Sequence, residues 1–234
     1  MKKELGDEEK SAIIQAVQNG IREDMRDFWL ENKLSSRNSR HGLKWDFINT
    51  NLDKKLQIPR LECKIIDRKI WEFPIIFDNI TGNLYLVTRE KNFWKIKKER
   101  NKRKSPHYVD GFVTLNKNVK VEKAQIELFN TDIEFEKEQI DKILELISEY
   151  RNKVTKVLIC VFQEEGNQLI SFRTILTDKY LNIDEKATED WSRLINVKFD
   201  IPYTETNKND ISIKVKKNSE LKITLKKNIK NKED

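Results

Sequence analysis

Apolar residues recur at helical spacing over 7–32, where Ile13, Ile14, Val17, Ile21, Met25, Phe28 and Trp29 share one stripe. This predicts one long helix, with Asp7 as its N-cap and Glu8 and Glu9 in the first turn, where the helix dipole favours anions. After a polar break, Trp45, Ile48, Leu52 and Leu56 predict a shorter helix over 43–56. Three runs rich in Ile, Val and aromatic residues follow at 61–66, 70–77 and 84–88, and read as an antiparallel meander. Gly82 lies in the longer of its two connections, where a positive φ is expected. The pattern then turns helical and basic, with a short helix over 108–115.

The second half opens on Thr131 and Glu134, the spacing of a capping box, and predicts a long helix over 132–151 that buries Phe135, Ile140, Ile143, Leu144 and Ile147. Strands at 154–162 and 169–176 flank Glu164-Glu165-Gly166-Asn167 as a hairpin, and a short helix passes through Trp191, Leu194 and Ile195. A strand at 197–201 leads to period-two runs at 211–215 and 221–225, which predict a terminal hairpin. Helices and strands come in blocks, so the fold class is α+β with a mainly antiparallel sheet. The expected organisation is one domain over 7–205, or two lobes divided near 117–131, followed by a Lys-rich hairpin and disordered tail over 206–234.

Composition adds a bias toward polyanionic partners: 46 Lys and Arg stand against 39 Asp and Glu, a net charge of +7. No run approaches the roughly 18 apolar residues of a membrane span, and the charged start is unlike a secretory leader, so a cytoplasmic protein without membrane attachment is expected. Cys63 and Cys160 sit inside strand-like runs and read as small core residues. Six scattered glycines cannot build a phosphate-cradling loop, and neither His41 nor His107 has a partner at zinc-ligand spacing. No metal or cofactor is expected.

Seven of the ten residues over 95–104 are basic: Lys95, Lys97, Lys98, Arg100, Lys102, Arg103 and Lys104. Each one that reaches a phosphate releases counterion, and the neighbouring rings of Phe93, Trp94 and Tyr108 suit stacking on unpaired bases. Lys214, Lys216, Lys222 and Lys226 would face outward on the terminal hairpin and offer a second basic surface. RNA or single-stranded DNA is therefore the expected partner, and a protein partner is the competing reading if the lysines only solvate the surface. Should the chain be an enzyme, metal-independent RNA cleavage fits its inventory best. His107 would transfer the proton, at a pKa that bound phosphate raises, and Arg89 and Lys91, within Thr88-Arg89-Glu90-Lys91 at the end of a strand, with Arg100, would stabilise phosphorane charge. An Arg89–Glu90 ion pair is the plainer expectation for that strand end. The spacing of Arg100 and His107 is similar to the Arg-gap-His signature of the HEPN ribonucleases, but that family is wholly helical.

The segments Leu43-Lys-Trp45-Asp46-Phe47-Ile48-Asn49-Thr50, Gly82-Asn-Leu-Tyr85, Arg89-Glu90-Lys91-Asn-Phe93 and His107-Tyr108-Val-Asp110 resemble an uncharacterised family of low-GC Gram-positive bacteria and their mobile elements. The resemblance covers roughly 8–200. It implies a cytoplasmic bacterial or phage protein; the association with mobile elements raises toxin, antitoxin, defence and phage-regulator readings, and no catalytic residue is assigned.

Overall fold

A computed structural model describes residues 4–69, 71–121 and 134–196. The chain divides into two compact units, Met1–Val197 and Lys198–Asp234, and all described residues belong to the first. The expected strand at 197–201, the terminal hairpin with its four lysines, and Thr131 lie outside the described residues.

The fold is α+β. Helices α1 (Asp7–Ile21), α2 (Glu23–Asn32) and α3 (Arg40–Thr50) precede strands β1 (Leu61–Asp67), β2 (Glu72–Asp78) and β3 (Asn83–Arg89). Next come α4 (Glu90–Glu99), α5 (Tyr108–Val113), α6 (Lys137–Glu145) and α7 (Ser148–Arg151), then β4 (Lys156–Glu165), β5 (Gln168–Leu176) and the two-residue β6 (Glu189–Asp190). The six strands form one sheet in chain order. Every neighbouring pair is antiparallel except β3 and β4, which run parallel across the long helical connection.

One face of the sheet packs Phe73, Ile75, Phe77, Leu84 and Leu86 against residues of α4 to α7. The other packs Ile76, Tyr85, Val87, Cys160 and Phe162 against α1 and α3. With both faces covered, the central strands read as continuous apolar runs: β3 is buried from Asn83 to Thr88. Cys160 is buried and Cys63 half-buried, both as free thiols, and burial with the nearby charge of Asp53 pushes Cys63 up to about 12. Gly82 takes φ 76 in the β2–β3 turn, as its position requires; an added Cβ there would also lie 2.6 Å from the Lys153 carbonyl oxygen.

Three expectations need correction. The helix over 7–32 is two helices, because Arg22 leaves helical geometry (φ −113, ψ −67) just after Gly20, the poorest helix former in the segment. Its cap is Gly6, whose N–H donates to Glu9 Oε2 at 2.8 Å, so Asp7 is the first helical residue. The expected helix over 132–151 is likewise divided: α6 starts at Lys137, and Ile147 interrupts it (φ −122, ψ 32) while its own side chain is fully buried. Glu134 does not cap this helix. It accepts from Lys179 Nζ at 2.6 Å and Tyr180 Oη at 2.8 Å.

Candidate functional site

Because β3 and β4 are parallel, with Arg89 opposite Phe162, their carboxyl ends reach the same edge of the sheet. Such an edge is where open α/β sheets place ligands. The chain leaves β3 straight into α4, which packs on one face, while α3 carries Arg40, His41 and Lys44 on the other. Two adjoining cavities open here, of about 840 and 620 Å³, and both are lined by His41, Arg89 and Lys91. The larger adds Arg37, Arg40, Lys44, Trp94, Glu164 and Glu165. The smaller adds Arg68, Trp71, Lys95, His107 and Tyr108, with Trp45, Phe73 and Val87 behind them.

Glu164 organises the shared wall. Its carboxylate accepts from Arg89 Nη2 and from Lys44 Nζ, each at 2.8 Å. Arg89 Nη1 donates to His41 Nδ1 at 2.8 Å, and its guanidinium carbon lies 5.5 Å from the centre of the Trp45 ring. Burial, helped by the charges of Arg89 and Lys44 and opposed by Glu164, holds His41 below the usual 6.5. The expected Arg89–Glu90 pair does not form, because Glu90 binds Arg173 and accepts from Trp94 Nε1 at 3.1 Å. Among the described residues, the smaller cavity has Arg68, Arg89, Lys91 and Lys95 on its walls and no carboxylate. The larger one balances its cations with Glu90, Glu164 and Glu165.

The basic run over 95–104 divides between three roles. Lys95 lines the smaller cavity, and Lys97 lies 5.5 Å from the Trp94 ring centre. Lys98, Lys102 and Lys104 are exposed on the outer surface. Arg100 and Arg103 face inward to Asp110, at 3.4 and 2.6 Å. Arg100 is buried, with the Phe135 and Tyr180 rings 5.1 and 5.5 Å away, so the HEPN-like pair Arg100 and His107 does not share a cavity wall. Tyr108 is also buried, stacked on Phe73 at 4.1 Å with Arg68 over its ring at 5.3 Å.

His107 is the N-cap of α5. Its Nδ1 accepts the Val109 N–H at 3.3 Å, and Asp110 Oδ2 accepts the His107 N–H at 2.7 Å. Burial, with the charges of Arg103 and Arg68, lowers its pKa to about 4, opposite in direction to the rise expected for a phosphate-bound general acid. The neutral ring therefore supports the folded state fully above the unfolded value of about 6.5. That support is lost as pH falls from there toward 4. An NMR titration of the His107 ring is expected to show no protonation between pH 8 and 5.5; a midpoint above 6 would contradict the buried cap.

Residues 2–234 match DUF5986, a family of unknown function. The chain belongs to this family. No curated protein and no solved structure matches it. Among the described residues, no helix is long and apolar enough to cross a membrane. Within this DUF5986 chain, segments that carried the sequence resemblance supply Lys44, Trp45, Arg89, Lys91, His107 and Tyr108 to the two cavities. Sequence reasoning missed Arg40, Lys44, Arg68 and Trp71 as site residues. Their one signal was membership of cation-plus-aromatic segments, one in α3 and one between β1 and β2, and only the fold brings those segments together.

Proposed function

We propose that this chain binds single-stranded nucleic acid, RNA or DNA, along the groove formed by the two cavities. The observation that carries the reading is the joining of a cationic lining to two exposed tryptophans. Arg37, Arg40, Arg68, Lys91 and Lys95 line the groove, and Trp71 and Trp94 on its walls are 40% and 44% exposed. Phosphates supply affinity through the cations, while unpaired bases stack on the rings whatever their identity. The exposed Lys98, Lys102 and Lys104 contribute long-range attraction and few direct contacts. In the phage, toxin–antitoxin or mobile-element setting that the sequence resemblance implies, the ligand would be a single-stranded stretch of a transcript or of DNA.

The test is fluorescence anisotropy of a labelled single-stranded oligonucleotide across salt concentrations. The variant Arg68→Gln/Lys91→Gln/Lys95→Gln is expected to bind at least about tenfold more weakly. It should flatten the log–log salt slope by about 2, at roughly 0.7 for each lost phosphate contact. Lys98→Gln/Lys102→Gln/Lys104→Gln is expected to change the slope by less than half as much. Absence of binding by the unmodified protein sinks the proposal and favours a protein partner; equal losses from both triples would place the ligand elsewhere.

One observation favours a second reading, metal-independent RNA cleavage: both histidines of the chain line the smaller cavity, beside Arg89 and Lys91. Here a phosphate drawing Arg89 from His41 Nδ1 frees that nitrogen to accept the 2′-hydroxyl proton. The 2′ oxygen then bonds to phosphorus, and the 5′ oxygen leaves with a proton from Lys91. His41, held below its usual pKa, suits the basic role better than His107, whose Nδ1 is engaged by the α5 cap. Cleavage in the presence of a chelator, abolished in His41→Ala, distinguishes this from binding alone.

A further inference from the structure

Resting on the proposed single-strand groove, we infer that its smaller cavity is a clamp for one unstacked nucleobase, held between the rings of His41 and Trp71 with the attached phosphate on Lys91, Lys95 and Arg68. The two rings are 29° from parallel and their centres lie 6.4 Å apart. Both rings line the smaller cavity, and the half-exposed Trp71 can swing to sandwich a planar base against His41. Arg89 orients the His41 ring through the 2.8 Å hydrogen bond to Nδ1. Trp45 meets Trp71 edge-on, 82° between planes and 6.1 Å between centres, and supplies an apolar wall beside the slot.

Charge complements this shape. The slot opens into the 620 Å³ cavity, within the range of a small-ligand site, whose walls carry four cations and, among the described residues, no carboxylate. An aromatic slot beside Arg68, Lys91 and Lys95 selects a ligand that is planar at one end and anionic at the other, which is the chemistry of a nucleotide. A base paired in a duplex cannot enter, because the slot covers both of its faces; a base in a single strand enters at little cost.

The test uses adenosine 5′-monophosphate and ribose 5-phosphate as probes, titrated by calorimetry or ligand-observed NMR, alongside the labelled oligonucleotide. Adenosine 5′-monophosphate is expected to bind at least tenfold more tightly than ribose 5-phosphate. Trp71→Ala should weaken it by roughly five- to 150-fold, the range found when one stacking ring is removed, with Trp71→Phe restoring much of the loss. Leu30→Ala, at an exposed apolar residue that lines neither cavity, should leave the mononucleotide unaffected. Trp71 is already 40% exposed, so its loss leaves the core intact, and an unchanged melting temperature would document that. Equal affinity for the two probes, or no effect of Trp71→Ala, overturns the clamp. If the oligonucleotide still binds in that case, the groove reading survives alone; if the mononucleotide binds through Trp71 while the oligonucleotide does not bind, the clamp stands and the groove reading falls.

Discussion

Replacing Ile143 with Asp is expected to lower the melting temperature by roughly 10–20 °C, or to leave the chain unfolded at room temperature. Ile143 is 8% exposed and lies directly on α5: a Cβ added at Gly111 would come within 2.4 Å of Ile143 Cγ2. Truncating a buried Ile costs about 2–5 kcal/mol, and a carboxylate in its place adds the desolvation of a charge within this apolar cluster. A total near 5 kcal/mol is a large part of the roughly 5–15 kcal/mol that holds a domain folded, and each kcal/mol moves the midpoint by about 2–4 °C at this size. Ile143→Val keeps the packing and should cost about 1 kcal/mol. A thermal melt followed by circular dichroism measures both; a melt of Ile143→Asp matching the unmodified protein would mean that α6 does not pack on α5.

Ile143 belongs to the part of the fold that was legible in the sequence. Period-two and period-3.6 patterns are local, and they located the meander, the β4–β5 hairpin, α3, α5 and the buried stripe of α6. Helix interruptions were not legible, because Arg22 and Ile147 leave helical geometry inside stretches whose apolar spacing continues through them. The parallel pairing of β3 with β4 was hidden for a different reason. Nothing in either strand's own sequence encodes a partner on the far side of the long connection, and strands buried on both faces lose the alternation that would orient them.

The candidate site shows the same limit. The stretch Thr88-Arg89-Glu90-Lys91 and the pair His107-Tyr108 attracted notice as residues, and the structure places Arg89, Lys91, His107 and Tyr108 around one cavity. The densest cluster of positive charge, over 95–104, is mostly not there. Lys98, Lys102 and Lys104 face outward, while Arg100 and Arg103 are engaged by Asp110, a residue seven to ten positions later whose burial raises its carboxyl despite the nearby guanidinium groups. Charge density along a sequence counts cations; it does not say which have an internal carboxylate.

Asp78→Asn is expected to cost about 3 kcal/mol at neutral pH, and the gap from the unmodified protein should close as pH falls below about 4. Asp78 has no exposed side-chain surface. Its Oδ1 accepts from Arg60 Nε at 2.8 Å and the Ile80 N–H at 2.9 Å, and its Oδ2 from Arg60 Nη2 at 2.7 Å and Thr81 Oγ1 at 2.5 Å. Burial alone would raise its pKa, but the hydrogen bonds from Arg60, Thr81 and Ile80 together hold it below the usual 3.8. Asn keeps an acceptor and loses the charge, while Arg60 keeps contacts that include Glu9 at 3.7 Å and the Glu4 carbonyl at 3.1 Å. Breaking a buried ion pair from one side costs about 3–5 kcal/mol, and those remaining contacts place this case at the low end. Because the folded pKa is depressed, the carboxylate's contribution is complete above the unfolded value of about 3.9 and is lost as pH falls through the lower, folded one. Urea denaturation at pH 7, 5, 4 and 3 follows both proteins. A gap that is constant between pH 7 and 5 and shrinks toward pH 3 supports the ionised pair, whereas a gap independent of pH down to 3 would show that Asp78 supports the β2–β3 turn through hydrogen bonds that need no charge.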